Sequence, residues 1–343
     1  MATTTPALVA DPELVTAAWL TDVLRHDGAI GSDSTVSSFT SKAIGTGQVG
    51  ANVRYELDYE GEPGPASLVC KFSSRDPISK ATGVATMTYD TEVAFYRDLA
   101  DTVDISRPHC YFHAIVAGTA DVVIALEDLT PAEQGDQIAG CTVEQATLAV
   151  EEAARLHGPR WGDTTLHDLA WLDRRAGSDG LMGMLTAMWD GFVDRYRDTL
   201  EPVTLDAGSH LVSLAPRIAS HAPRALTPIH YDYRLDNMLF GTPAGGRPLA
   251  VVDWQTVQLG LGPADVAYFL GNAFDAATRR SCERELVGRY HAKLVGYGVD
   301  DYPLDECWDD YRRSSFASLM MAVFASMMVG RTDRGDTMFM AMA

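Results

Sequence analysis

Between Ile229 and Trp254 the chain carries three residues whose types suit phosphate chemistry: Asp232, Asn237 five positions later, and Asp253. Asp232 and Asn237 stand in a polar loop, Tyr231-Asp232-Tyr233-Arg234-Leu235-Asp236-Asn237. A short apolar strand, Met238 to Phe240, follows. The run Gly241-Thr242-Pro243-Ala244-Gly245-Gly246 reverses the chain, and Leu249 to Val252 returns and delivers Asp253. In an antiparallel hairpin the residue before the first strand and the residue after the second share the open end. Asn237 and Asp253 are therefore expected side by side, with Asp232 nearby. Two carboxylates and an amide oxygen at one spot suit a hard divalent cation bridging phosphates, with one carboxylate left to receive a proton.

Other elements must complete such a site. Gly45-Thr46-Gly47-Gln48-Val49-Gly50 lies between two strand-like runs, one ending at Ile44 and one from Val53 to Tyr59. A strand–turn–strand setting counts against a dinucleotide-binding fingerprint, whose glycines open a helix. It fits a flap over phosphates, and equally a hairpin that merely needs positive backbone angles. Ser67 to Phe72 reads as an apolar strand with one lysine inside it, Lys71. A buried lysine needs an anionic partner. Glu92, on a helical stretch from Asp90 to Leu99, is the candidate, and a surface position for both charges is the alternative. Ile105 to Ala117 and Asp121 to Leu126 read as further strands. His109 and His113 fall on the first of these with no further ligand near, so they read as structural. Thr130-Pro131 breaks the pattern, which predicts a strand-rich lobe over 1–129 and a mainly helical lobe over 130–343.

In the second half, Val143 to His157 and Met182 to Tyr196 read as helices. The region from Leu166 to Ser220 holds two or three helices without a role that pattern can assign. Gly260 to Asp265 is a glycine turn into a helix from Val266 to Leu270, with Asp265 at the capping position. Glu283 to Leu294 and Pro303 to Met328 complete the helical part.

The whole composition narrows the function classes. The chain has 343 residues, 46% of them apolar, and a formal net charge of −20. That charge disfavours nucleic acid as a partner, since phosphate backbones would be repelled. The five cysteines are scattered, odd in number and without a CxxC pair, as expected of reduced cytosolic thiols. The first ten residues lack the basic and apolar regions of a signal peptide. The most apolar stretch, Ser314 to Gly330, is shorter than the roughly 20 residues that span a bilayer. A cytoplasmic protein with no membrane partner is expected. Oligomeric state is not legible.

The order of these pieces resembles a known family. The stretch His230-Tyr231-Asp232-Tyr233-Arg234-Leu235-Asp236-Asn237, with Asp253-Trp254-Gln255 and Gly262-Pro263-Ala264-Asp265-Val266-Ala267-Tyr268, is similar to the aminoglycoside phosphotransferase and choline kinase-type small-molecule kinases. Within them it is most similar to the hydroxyacyl-CoA kinase and ecdysteroid-kinase-like branch. The resemblance runs from about Gly45 to Tyr311. It implies an α+β, bilobal, protein-kinase-like fold: an N-lobe of antiparallel sheet plus helix, and a mainly helical C-lobe. It implies ATP and Mg²⁺ as cofactors and a small-molecule hydroxyl as acceptor. By the same resemblance Asp232 takes or orients the acceptor proton, and Asn237 and Asp253 hold Mg²⁺. Lys71, steadied by Glu92, binds the α- and β-phosphates. Gly45, Gly47 and Gly50 shape the flap, and the backbone of Glu127, Asp128 and Leu129 meets adenine. Arg234 either neutralises the moving phosphoryl group or pairs with Asp232 or Asp236. His230 and Asp265 are expected to be structural. Two positions depart from the family pattern: Tyr231 stands where glycine is usual, and Gln255 where an acidic residue is frequent. A non-catalytic, pseudokinase-like nucleotide-binding relative and an aminoglycoside-type antibiotic kinase are the competing readings. A protein kinase is disfavoured, because Asp253 to Asp265 leaves no room for an activation loop.

Overall fold

The computed structural model describes residues 5–45, 50–173, 178–219, 224–328 and 330–343. A short 3-10 turn, Pro12–Leu14, precedes helix α1, Ala17–Asp27, which Thr16 caps by accepting from the Trp19 N–H. Strands β1 (Thr35–Ile44), β2 (Gly50–Glu60) and β3 (Ser67–Ser73) follow. Two helices come next, α2 (Pro77–Ala85) and α3 (Thr88–Ala94), the latter running into a π-helical turn at Phe95–Leu99. Strands β4 (Cys110–Ile115) and β5 (Val122–Glu127) complete a five-stranded antiparallel sheet in the order β1-β2-β3-β5-β4.

The remainder is mainly helical. A two-residue strand β6 (Glu133–Gln134) leads to α4 (Val143–His157), α5 (Ser178–Tyr196) and α6 (Pro202–Ala219). Strand β7 (Thr227–Ile229) precedes the hairpin β8 (Met238–Thr242) and β9 (Gly245–Val251), and β10 (Gln258–Gly260) pairs back with β7. Helices α7 (Gly262–Ala273), α8 (Ala276–Gly296), α9 (Leu304–Ser314), α10 (Ala317–Met328) and α11 (Asp333–Met342) close the chain. The α+β class and the sheet-plus-helical arrangement match the expected protein-kinase-like fold. Among the described residues no helix is long and apolar enough to cross a membrane, and the five cysteines are free thiols.

Strand periodicity decides which way Lys71 points. Leu68, Cys70 and Phe72 are buried against α1, in a cluster with Trp19, Leu20 and Val23. Residues alternate faces along a strand, so Lys71 projects from the other face. There it lies opposite Ile124 of β5, which belongs to the larger core shared with the helical part. The hairpin register pairs Met238 with Val251 and Phe240 with Leu249. Asn237 therefore precedes the first strand directly across from Val252, whose N–H donates to the Asn237 carbonyl at 3.0 Å.

Several expected boundaries move for identifiable reasons. Near the N-terminus Asp11 caps the short 3-10 turn and Thr16 supplies a second cap, so α1 starts only at Ala17. Strand β4 starts at Cys110 rather than Ile105. Ser106 spends its N–H on the Glu152 carboxylate at 2.7 Å and its carbonyl on Val251 at 2.8 Å, so that segment cannot join the ladder. The stretch from Pro303 to Met328 is two helices, broken after Ser314. Asp265 is not a cap. Helix α7 begins at Gly262, with Pro263 in its first turn, which places Asp265 inside the helix.

Gly208 of α6 gives a test of the helical packing. A Cβ there would clash with the buried Trp189 ring of α5. Gly208→Ala is expected to lower unfolding free energy by about 1–3 kcal/mol through overpacking, measured by urea denaturation.

Candidate active site

The sheet, the helix before its π turn and the hairpin bring three charges together. The Lys71 ammonium donates to Glu92 at 2.5 Å and to Asp253 at 2.7 Å. Glu92 is 3% exposed, so a surface position for this pair is ruled out. Burial pushes the Lys71 ammonium toward losing its proton, but Asp253 and Glu92 outweigh it and hold the proton above the ordinary lysine range. Burial in turn pushes the Glu92 carboxyl up, against the pull of Lys71. Phe95, one position after α3, stacks on Trp254 with ring centroids 4.0 Å apart and planes within 6°. That stack ties the Glu92 helix to the residue after Asp253.

Asp253 has φ of +69°, a left-handed conformation, and its carboxylate accepts from Lys71. Its second oxygen accepts from the Gln255 amide at 3.2 Å. The residue that stands where relatives often carry an acid thus acts here as a neutral donor. Asn237 is buried, and its amide N–H₂ donates to the Asp232 carbonyl at 2.9 Å and to Asp232 Oδ2 at 3.0 Å. This orientation turns the Asn237 amide oxygen away from Asp232. Among the described residues no group of three or more His, Cys, Asp or Glu could hold a metal. The Asn237 and Asp253 oxygens, with oxygens from elsewhere, are a hard donor set of the kind that suits Mg²⁺.

Asp232 has 21% of its side chain exposed. Arg234 Nε donates to both its oxygens, at 3.0 and 3.1 Å, and the Tyr268 hydroxyl donates to Oδ1 at 3.1 Å. Burial raises the Asp232 carboxyl, but Arg234, then His230 and the hydrogen bonds from Arg234 and Asn237, outweigh it. The carboxyl lies below its usual range and is ionised at neutral pH. Arg234 also donates to Asp236 at 2.5 Å. Both pairings open to Arg234 in the sequence are therefore made at once.

The loop between β7 and β8 is fixed from below. Asp265, 1% exposed, accepts from the backbone N–H of His230 at 2.6 Å and of Tyr231 at 2.9 Å. It also faces His157 Nε2 at 3.2 Å, and His157 Nδ1 meets the Tyr290 hydroxyl at 2.9 Å. Tyr231 has φ of +70°, which explains why glycine is usual there. Its side chain is 40% exposed, so the departure costs backbone strain rather than core space. His230 is fully buried, with Nε2 against the Val252 carbonyl at 3.0 Å. His109 pairs with Asp27 at 2.7 Å and is remote from these groups in its contacts.

Of the other expected residues, Gly45 has φ of +75° at the end of β1. A Cβ at Gly50 would meet Lys71 Cε at 3.3 Å, so its backbone packs on the lysine stem. Gly47 lies outside the described residues. Glu127 pairs with Arg247 at 2.5 Å, and Asp128 with Arg54 at 2.7 Å and Ser67 at 2.7 Å. Those side chains brace the segment up to Leu129 without joining the Lys71 cluster. Sequence reasoning passed over Tyr268 and Gln137. Tyr268 lies three residues after Asp265 on one helix, a spacing that shares a face and points to it. Gln137, buried and accepting from Leu235 N–H at 3.1 Å, gave no such signal.

A family model described as "Phosphotransferase enzyme family" matches residues 62–304. No curated protein matches the chain in sequence. Solved structures do match in fold. The choline kinase from Cryptosporidium parvum Iowa II is 9% identical, with a TM-score of 0.58 over 89% of this chain and 88% of that one. The GDP complex of wild-type aminoglycoside 2'-phosphotransferase-IIIa is 12% identical, with a TM-score of 0.55 over 89% and 92%. An ADP-bound aminoglycoside phosphotransferase, APH(2'')-Ib, is 13% identical, with a TM-score of 0.51 over 88% and 92%.

The anchoring of the loop is testable without any assay of turnover. Asp265→Ala would leave two buried backbone N–H groups and His157 without their acceptor. It is expected to cost about 3–5 kcal/mol, read as a lower denaturation midpoint. A shift within about 0.5 kcal/mol, the range of an ordinary surface change, would contradict the anchor.

Proposed function

The chain belongs to the phosphotransferase enzyme family, and we propose that it moves the γ-phosphoryl group of ATP to a hydroxyl of a small-molecule acceptor. The observation that carries this reading is the meeting of Lys71 with Glu92 and Asp253 at the end of the hairpin whose start holds Asn237, hydrogen-bonded to Asp232. The acceptor oxygen attacks the γ-phosphorus, the bond to the β-phosphate oxygen breaks, and ADP leaves. The hydroxyl proton passes to Asp232. Asn237 and Asp253 would hold Mg²⁺, which when bound offsets negative charge on the phosphate oxygens. Lys71 would take the α- and β-phosphates, with Gly45, Gly47 and Gly50 shaping the flap above them. The Glu127 to Leu129 backbone would meet adenine. Arg234 lies on Asp232, where its charge can also face the moving phosphoryl group. Catalysis of this kind is positioning plus charge neutralisation. We read 1–129 as the nucleotide lobe and 130–343 as the catalytic and acceptor lobe, supported by the five-stranded sheet ending before Thr130.

For the acceptor we propose a non-antibiotic metabolite, of the hydroxyacyl-CoA type or another alcohol with an apolar body. Two features support this over a polycationic sugar. Asp232 and Asp236 are already paired with Arg234, and Arg334 approaches Asp236 at 3.5 Å, so little free negative charge faces the site. Met338 Sδ lies 3.6 Å from Arg234, and Tyr268 belongs to an apolar cluster with Trp189, Leu319 and Phe339.

The test is Mg²⁺-dependent ATP consumption that requires an added alcohol. Asp232→Asn is expected to reduce it about 10²–10⁴-fold, the usual weight of a general base, with the unfolding midpoint retained. ATP binding without turnover across a broad alcohol panel would favour the non-catalytic reading. Tyr268→Phe gives a second, finer test. The lost hydrogen bond favours the ionised carboxylate, so its removal raises the Asp232 pKa. The acidic limb of the kcat/KM profile should move to higher pH, and an unmoved limb would show that this hydrogen bond does not hold the carboxylate.

A further inference from the structure

A cavity of about 600 Å³ opens on the flank of the helical turn that follows Glu92. Tyr96, Arg97, Arg107, His109 and Arg247 are among the residues that line it, together with the carboxylates Asp27 and Asp101. None of the residues assigned to phosphate or proton chemistry does. Its size is that of a small-metabolite site.

Most of its charges are already matched. Arg97 binds Asp98 through two bonds at 2.7 and 2.6 Å, Arg247 binds Glu127, and His109 binds Asp27. Arg107 differs. Its side chain is only 19% exposed, yet its guanidinium donates to the Val103 and Ile105 carbonyls at the long distance of 3.4 Å each. Its one carboxylate partner, Asp101 at 3.2 Å, has a side chain that is 99% exposed. A pair of that kind is screened by water and contributes little. The second observation is the Tyr96 hydroxyl. Tyr96 is 8% exposed, and its hydroxyl oxygen is buried with no hydrogen-bond partner among the described residues. A buried hydroxyl in that state is destabilising until a partner meets it. Tyr96 and Arg107 line the same cavity.

We propose that this cavity binds a small metabolite through an oxyanion group, a carboxylate or a phosphate, held by the Arg107 guanidinium and the Tyr96 hydroxyl. Both groups are donors, one charged and one neutral, and an oxyanion satisfies both. The ligand would act as an effector. Tyr96 lies four residues after Glu92, and its neighbour Phe95 stacks on Trp254 beside Asp253. Fixing Tyr96 fixes the turn on which both partners of Lys71 depend. Binding itself is independent of the phosphotransfer reading, and its test needs no turnover.

The full chain is titrated with citrate and, separately, with inorganic phosphate, at matched ionic strength. Binding is read by calorimetry and located by hydrogen–deuterium exchange. At least one ion should bind and slow exchange across 92–113, and Tyr96→Phe should weaken it about tenfold, the worth of one hydrogen bond to a charged group. Arg107→Gln should weaken it further. The ion that binds identifies the oxyanion as carboxylate or phosphate. The proposal is overturned if neither ion binds, if protection appears only at 229–254, or if Tyr96→Phe leaves the affinity unchanged.

Discussion

One ammonium joins the three parts of this molecule. Lys71 comes from the sheet, Glu92 from the helix beside it, and Asp253 from the end of the hairpin. Removing either partner of a buried ion pair costs about 3–5 kcal/mol, because the remaining charge is left without its match. The three elements therefore share one geometry. Strand alternation must turn Lys71 away from α1, the helix must bury Glu92, and Asp253 must adopt a left-handed backbone. The flat Phe95–Trp254 stack reinforces the same junction with apolar contact.

A second constraint sits under the loop. Asp265 accepts two backbone N–H groups and so fixes the path of His230 and Tyr231 before Asp232. That anchor accounts for Tyr231 at φ +70° without a glycine. Asp232 is then held by Arg234, Tyr268 and Asn237 together. These contacts favour the carboxylate over the acid, which is the state required to accept a proton.

Much of this was legible in the residues because it depended on local order. A hairpin with an aspartate at its end and an asparagine at its start is expected to set the two at one open end, and the β8–β9 register puts Asn237 across from Val252, the residue before Asp253. A lysine inside an apolar strand needed an acid, and Glu92 stood at the edge of the next periodic helix. What the sequence hid had no periodicity to reveal it. Strands β6, β7 and β10 have two or three residues each. The early end of the ladder before Cys110 depends on Glu152, 46 positions away from Ser106. The helix break after Ser314 falls within an apolar run that reads as continuous. Tyr268 could have been found from its spacing to Asp265, whereas the Tyr96 cavity arises only from side chains that five separate segments bring together.

We propose that Asn237 and Asp253 form one metal–nucleotide site with Lys71. The most direct test is electron paramagnetic resonance of Mn²⁺ in place of Mg²⁺, with ATP and the full chain. The account predicts an ATP-dependent bound Mn²⁺ signal that Asp253→Asn abolishes while the fold persists. Bound Mn²⁺ that does not require ATP, or a signal unchanged in that variant, would contradict it.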